Sequence, residues 1–151
     1  MKKKILISTG GTGGHVIPAT IFFEHLKDEF DITISTDLRG SKYLEDNKYK
    51  VEIINTPKLA VSFFLVPFKF LSLFYISIKS ILLLKKKKIE VLISTGGYMS
   101  LPICLAAKIL RIKIFLFEPN MVLGRANSFF LKFSKKIYCY SKEIENFPSK
   151  F

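Results

Sequence analysis

Apolar residues gather along the chain in short runs of strand length, at 5–7, 32–34, 51–54, 89–93, 114–117 and 137–140. Helix-like segments separate most of them. One follows Pro18, which suits a first helical turn. A second spans 41–46, a third is the apolar stretch 62–84, and two more follow Pro102 and Gly124. Strands and helices alternating in this way predict an α/β fold on a doubly wound parallel sheet, in which ligands bind beyond the carboxyl ends of the strands.

The stretch 62–84 has the length of a membrane span, yet Pro67, Lys69 and Lys79 interrupt it, and a spanning helix excludes such residues. At about 100° per residue, Ser62, Lys69, Ser72, Ser77, Lys79 and Ser80 fall on one side. They leave a broad face of Phe64, Leu65, Phe68, Leu71, Phe74, Tyr75 and Leu82. Two readings stand. The apolar face packs on the sheet, as any α/β domain requires of its helices. Alternatively, the aromatic face lies beside the cluster Lys85, Lys86, Lys87 and Lys88 to meet an anionic lipid surface.

The pentapeptide Ile-Ser-Thr-Gly-Gly occurs twice, at 7–11 and 93–97, each time closing a strand-like run and opening a helix-like one. Glycine lets the backbone turn off a strand and approach a ligand closely, and the helix that follows aims unpaired N–H groups at an anion. A phosphorylated substrate is the expectation. The first loop continues through Thr12, Gly13 and Gly14 to His15 and Val16. A Walker A loop requires Lys and a hydroxyl residue in that region. The dinucleotide pattern G-x-G-x-x-G requires glycine where Val16 stands, although Asp37 is placed much like a ribose-binding acid. An NAD-dependent oxidoreductase is therefore disfavoured.

Composition narrows the partners. A chain of 151 residues with 49% hydrophobic content supports one domain over 1–151. The formal charge of +12 and pI near 9.7 favour a polyanion, for which nucleic acid, an anionic membrane surface and a pyrophosphate substrate compete. Arginine, the bidentate reader of bases, occurs only at Arg39, Arg111 and Arg125, so nucleic acid is not the expected partner. Cys104 and Cys139 lie apart in apolar stretches without metal-type spacing, as buried thiols of a reducing compartment do. The basic start, Met1 to Lys4, runs through a short apolar segment straight into glycines, a first strand rather than a signal peptide.

The string Gly10-Gly11-Thr12-Gly13-Gly14-His15, with Pro18-Ala19 behind it, resembles the MurG family of bacterial glycosyltransferases. Two further segments match in order. One is Gly96-Gly97-Tyr98-Met99-Ser100-Leu101-Pro102 followed by Ala106-Ala107. The other is Glu118-Pro119-Asn120 with Gly124 and Asn127 beyond it. Phe117 and Pro119 stand where the family has His and Gln, so contacts made by those two side chains do not carry over.

The resemblance implies the Rossmann-like, acceptor-binding N-terminal half of a GT-B enzyme, with the family's C-terminal donor domain absent. It implies transfer of N-acetylglucosamine from UDP-GlcNAc to undecaprenyl-linked lipid I, forming lipid II for peptidoglycan, cell shape and division. The protein would sit peripherally on the cytoplasmic face of the cell membrane, with no cofactor or metal. A GT-B site is a cleft between two domains, so the chain alone is expected to be inactive. The alternative is a membrane-associated acceptor subunit of a split enzyme that docks a separate donor-binding chain.

By the same resemblance His15, a side-chain type that exchanges protons near neutrality, is the leading general base, and Glu118 belongs with it in the catalytic set. The N–H groups of Thr12, Gly13 and Gly14, with Asn120, would hold the donor diphosphate. Gly96, Gly97, Tyr98, Ser100 and Asn127 would hold the acceptor pyrophosphate. Phe64, Phe68 and Phe74 with Lys85, Lys86, Lys87 and Lys88 would meet the membrane.

Overall fold

Near-continuous apolar runs, rather than alternating ones, are what a strand shows when both faces of its sheet are covered. Strands β1 (Lys4–Ser8), β2 (Asp31–Thr36), β3 (Val51–Ile53), β4 (Val91–Ser94), β5 (Lys113–Glu118) and β6 (Lys136–Cys139) make one parallel sheet in the order β3-β2-β1-β4-β5-β6. The helices are α1 (Gly13–Leu26), α2 (Val66–Lys87), α3 (Leu101–Ile109) and α4 (Arg125–Phe130). This is a computed structural model of the chain, and it describes residues 2–44, 47–56 and 66–149, with side chains from 71 onward in the last stretch.

Each face has its own core. Ile5, Ile7, Ile32, Ile34 and Ile93 pack under Val16 and Ala19 of α1. Leu6, Leu92, Ile114 and Leu116 point the other way, against Leu84 of α2, Ile103, Cys104 and Ala107 of α3 and Phe130 of α4. The doubly wound parallel sheet expected from the apolar runs is the one observed.

Boundaries differ where local chemistry outweighs pattern. Helix α1 begins at Gly13, ahead of Pro18 rather than after it, because extended Thr12 offers its carbonyl to the N–H groups of both His15 and Val16, at 3.1 and 3.3 Å. Pro18 then lies inside the helix. The bond its missing N–H forfeits is to the carbonyl of Gly14, which is exposed in the first turn and open to water. Of the helix expected at 41–46, the described residues form only a 3₁₀ turn, Gly40–Tyr43, and 45–46 lie outside the description.

Strand β4 starts at Val91 because Ile89 belongs to the end of α2. Its N–H bonds the Leu84 carbonyl at 3.0 Å across Lys88, which sits at φ 54°. This is a left-handed helix terminus, and Ile89 and Leu84 close it with a contact in the core. Helix α3 ends the same way, with Arg111 at φ 56° and Ile112 N–H bonded to the Ala107 carbonyl at 2.9 Å.

Helix α2 corrects the sequence expectation in an informative way. It packs on α3, but with its serine side inward: Ser77 is 4% and Ser80 1% exposed, while Leu71 (67%), Phe74 (64%), Tyr75 (57%) and Leu82 (61%) face outward. Small side chains let the helix approach closely. The two hydroxyls donate back to the Leu73 and Ile76 carbonyls, both at 2.8 Å, so their burial strands no polar group. Lys85, Lys86 and Lys87 fill the last turn of α2 and Lys88 follows it. Phe68 falls in the first turn, and Phe64 lies outside the described residues. Among the described residues no helix is long and apolar enough to cross a membrane.

Candidate functional site

Strands β1 and β4 are neighbours, yet the chain leaves β1 for α1 on one face and β4 for α3 on the other. The carboxyl end between them is the switch point at which such sheets bind ligands. Both glycine loops open there, and the N–H of Thr95 donates to the Ser8 carbonyl at 3.0 Å, keeping them side by side.

His15, in the first turn of α1, crosses this gap. Its Nδ1 lies 2.7 Å from the Thr95 carbonyl oxygen. A carbonyl only accepts, so Nδ1 carries a proton, and in the neutral ring the lone pair is on Nε2. The second loop is shaped to receive the ring. Gly96 and Gly97 have φ of 89° and 80°, and a Cβ on Gly96 would lie 3.4 Å from His15 Cε1. Only glycine meets both demands.

Glu118 ends β5 and is 1% exposed. Its Oε1 accepts from the backbone N–H of Asn120 at 3.2 Å and from Asn120 Nδ2 at 2.9 Å. Its Oε2 accepts from the N–H of Gly124 and from Asn127 Nδ2, each at 2.9 Å. A carboxylate so occupied is the anchor of the segment 118–127. Asn127 is buried behind it, its Nδ2 also donating to the Phe117 carbonyl at 3.1 Å, and its Oδ1 has no partner among the described residues.

His15, Tyr98, Glu118 and Asn120 line one cavity of about 550 Å³, walled on the apolar side by Leu101 and Phe129, a size suited to a sugar-bearing ligand. Gly97 shares that lining, whereas Thr12, Gly13, Gly14 and Ser100 do not. Thr12 is the N-cap of α1 without a side-chain cap bond, and no acidic residue occupies the first turn, so the leading N–H groups are free to meet negative charge. Ser100 is buried and donates its hydroxyl to the Gly97 carbonyl at 2.7 Å, stapling the second loop.

Sequence patterns missed one cluster. Asp37, just beyond β2, is buried and accepts from the N–H groups of Gly11 and Gly40, each at 2.9 Å, and from Arg39 Nε at 3.0 Å. Burial alone would raise its affinity for a proton. The two N–H groups and the guanidinium outweigh that and hold the carboxyl below its usual range. The carboxylate is thus committed to the loops rather than open to a ribose. Arg39 in turn donates from Nη2 to the Tyr98 hydroxyl and sits 5.7 Å from the centre of that ring. The visible signal was an Asp and an Arg two apart, directly after a strand, in an arginine-poor chain.

A parallel sheet in this order, with twin glycine loops and a histidine at its switch point, is a Rossmann-like ligand-binding domain. The chain belongs to glycosyltransferase family 28, whose N-terminal domain matches residues 5–139. It is 54% identical over 151 residues to a Pelagibacter ubique protein named UDP-N-acetylglucosamine–N-acetylmuramyl-(pentapeptide) pyrophosphoryl-undecaprenol N-acetylglucosamine transferase, covering 100% of this chain and 42% of that relative. A Rickettsia prowazekii protein of the same name is 39% identical over 148 residues, covering 97% of this chain and 37% of its own length. The chain thus spans about two fifths of the curated relatives it matches.

Among solved structures, MurG of Acinetobacter baumannii superposes with a TM-score of 0.82 at 23% identity, covering 97% of this chain and 43% of the other. The UDP-GlcNAc 2-epimerase of Methanocaldococcus jannaschii superposes at 0.64 and 17% identity, covering 92% and 40%. At such identities the likeness is one of fold.

Proposed function

We propose that the chain is the acceptor-binding half of the enzyme that transfers N-acetylglucosamine from UDP-GlcNAc to undecaprenyl-pyrophosphoryl-linked muramyl peptide, completing lipid II. The names of its relatives support the reaction, and the observation that carries it here is His15. With Nδ1–H spent on the Thr95 carbonyl, Nε2 faces the loop of Gly97 as a ready base.

In this mechanism an acceptor hydroxyl in the cavity gives its proton to Nε2 as its oxygen bonds the anomeric carbon of the sugar. The bond from that carbon to the phosphate oxygen breaks, and UDP leaves with the electron pair. The N–H groups at Thr12, Gly13 and Gly14 meet the departing diphosphate. Asn120, exposed at the cavity rim, contacts the donor. Gly96, Gly97, Tyr98 and Ser100, with Asn127 behind them, shape the seat of the acceptor pyrophosphate. Glu118 acts by holding this segment in place. The donor half completes the cleft.

The test is a chimera in which these 151 residues replace the corresponding part of the Pelagibacter ubique relative, assayed for labelled GlcNAc transfer to lipid I. Turnover comparable to the parent is expected. A folded chimera that binds UDP-GlcNAc yet transfers nothing to lipid I would overturn the assignment.

We further propose that α2 seats the domain on the cytoplasmic face of the membrane. Its outward Leu71, Phe74, Tyr75 and Leu82, with the lysines at its end, support this. The chain should co-sediment with phosphatidylglycerol vesicles at low salt and less so at high salt. Leu71→Glu, Phe74→Glu and Leu82→Glu together should lower partitioning by about 100-fold or more, given about 1.5–3 kcal/mol per buried side chain. A wild-type chain that stays in the supernatant at low salt sinks the idea.

A further inference from the structure

We propose that Arg39 is a fixed anion-binding residue of this site, presented by Asp37 and Tyr98 to the diphosphate of a substrate. The inference rests on the acceptor and donor reading above, and it adds a side chain to a cradle otherwise made of backbone.

A guanidinium has five N–H donors in a planar fork. In Arg39, Nε is held by the Asp37 carboxylate at 3.0 Å and Nη2 by the Tyr98 hydroxyl. Its side chain is still 44% exposed. Two of the five donors are therefore engaged, and three have no hydrogen-bond partner among the described residues. The same carboxylate that grips Arg39 also grips the N–H of Gly11. The guanidinium is consequently referenced to the first glycine loop, with Nη2 3.8 Å from where a Cβ on Gly11 would stand. Tyr98 references it to the second loop and lines the cavity with His15. A long arginine side chain normally loses rotamer freedom when it binds an anion. Here the buried partner has removed that freedom beforehand, so the charge waits in position between two loops that both open at the switch point.

A guanidinium fork matches two oxygens of a phosphate group, on one phosphorus atom or on two neighbouring ones. The proposed reaction narrows the ligand class to a diphosphate. Both substrates of the proposed reaction carry one, on the nucleotide sugar and on the lipid carrier. The contact of Arg39 with Tyr98 on the second loop favours the lipid carrier.

The experiment titrates the chain by calorimetry with farnesyl diphosphate, farnesyl monophosphate and UDP, for the wild type and for Arg39→Lys, Arg39→Ala and Tyr98→Phe. Near-ultraviolet dichroism confirms that each variant is folded. The wild type should bind farnesyl diphosphate more tightly than the monophosphate. Arg39→Lys, which keeps the charge but cannot hold Asp37, Tyr98 and a ligand together, should lose about tenfold or more in diphosphate affinity and with it the preference over monophosphate. Arg39→Ala should lose at least as much, and Tyr98→Phe a few-fold. A purely structural arginine would weaken both ligands alike and leave the preference intact, and that result overturns the inference. So does undiminished diphosphate binding by folded Arg39→Lys and Arg39→Ala, which leaves the functional reading standing. A larger response in the UDP arm supports Arg39 as the anion site and moves it to the donor side. A wild type that binds no diphosphate at all removes the inference together with the diphosphate role of the loops.

Discussion

His15→Ala, placed in the chimeric transferase, is expected to lower turnover by about 10²–10⁴-fold, the range contributed by a positioned general base. The loss should fall on kcat, because Nδ1 stays tied to the Thr95 carbonyl and Nε2 acts on the acceptor hydroxyl only as the bond forms. The KM for UDP-GlcNAc should therefore stay within a few-fold. His15→Gln makes a sharper comparison. Its amide can still donate to Thr95 but cannot take a proton, so it should restore the fold of the loop and not the rate. Initial rates of both variants beside the wild type, at saturating and limiting UDP-GlcNAc, check both points. Near-normal turnover by His15→Ala would reduce the histidine to a brace between the two loops.

Glu118→Gln should be the most destabilising conservative change in the site. Both carboxylate oxygens receive donors, Asn120 on one and Gly124 with Asn127 on the other. An amide offers one oxygen and one NH₂, so whichever way it is turned, a donor faces donors. The cost is about 2–4 kcal/mol, from at least one unmade buried bond and the loss of charge assistance at the rest. A fall in Tm of roughly 5–10 °C is expected for a chain of this size. If Tm holds while the chimera loses activity, Glu118 serves the chemistry rather than the architecture.

The extent to which the sequence disclosed this follows from the range of each interaction. The strands were legible because helices cover both faces, so Ile5, Leu6 and Ile7 are all buried and the run stands out. The glycine pairs at 10–11 and 96–97 were legible because the motif repeats, and His15 because the string that carries it resembles a known family. The start of α1 was not, since Pro18 imitates a first-turn proline while the Thr12 carbonyl begins the turn earlier. Nor was the link from Arg39 to Tyr98, which joins residues 59 apart and leaves no periodic trace. Glu118 could be located by its neighbours in sequence, but its role as an anchor depends on donors that only the fold assembles. Helix α2 shows a different limit. Its two faces were separable by periodicity, but which one turned inward depended on what α3 presented to it, and small residues such as Ala106 and Ala107 accept serines as well as leucines.

That inward serine seam separates two equilibria that are coupled in most amphipathic helices. Where the same apolar stripe builds the core and meets a partner, leaving the partner strains the core. In α2 the outward Leu71, Phe74, Tyr75 and Leu82 take no part in holding the helix to the domain. Whatever covers that outer face can dock and leave without cost to folding, and the outer face is free to change in sequence while the inner seam stays unchanged.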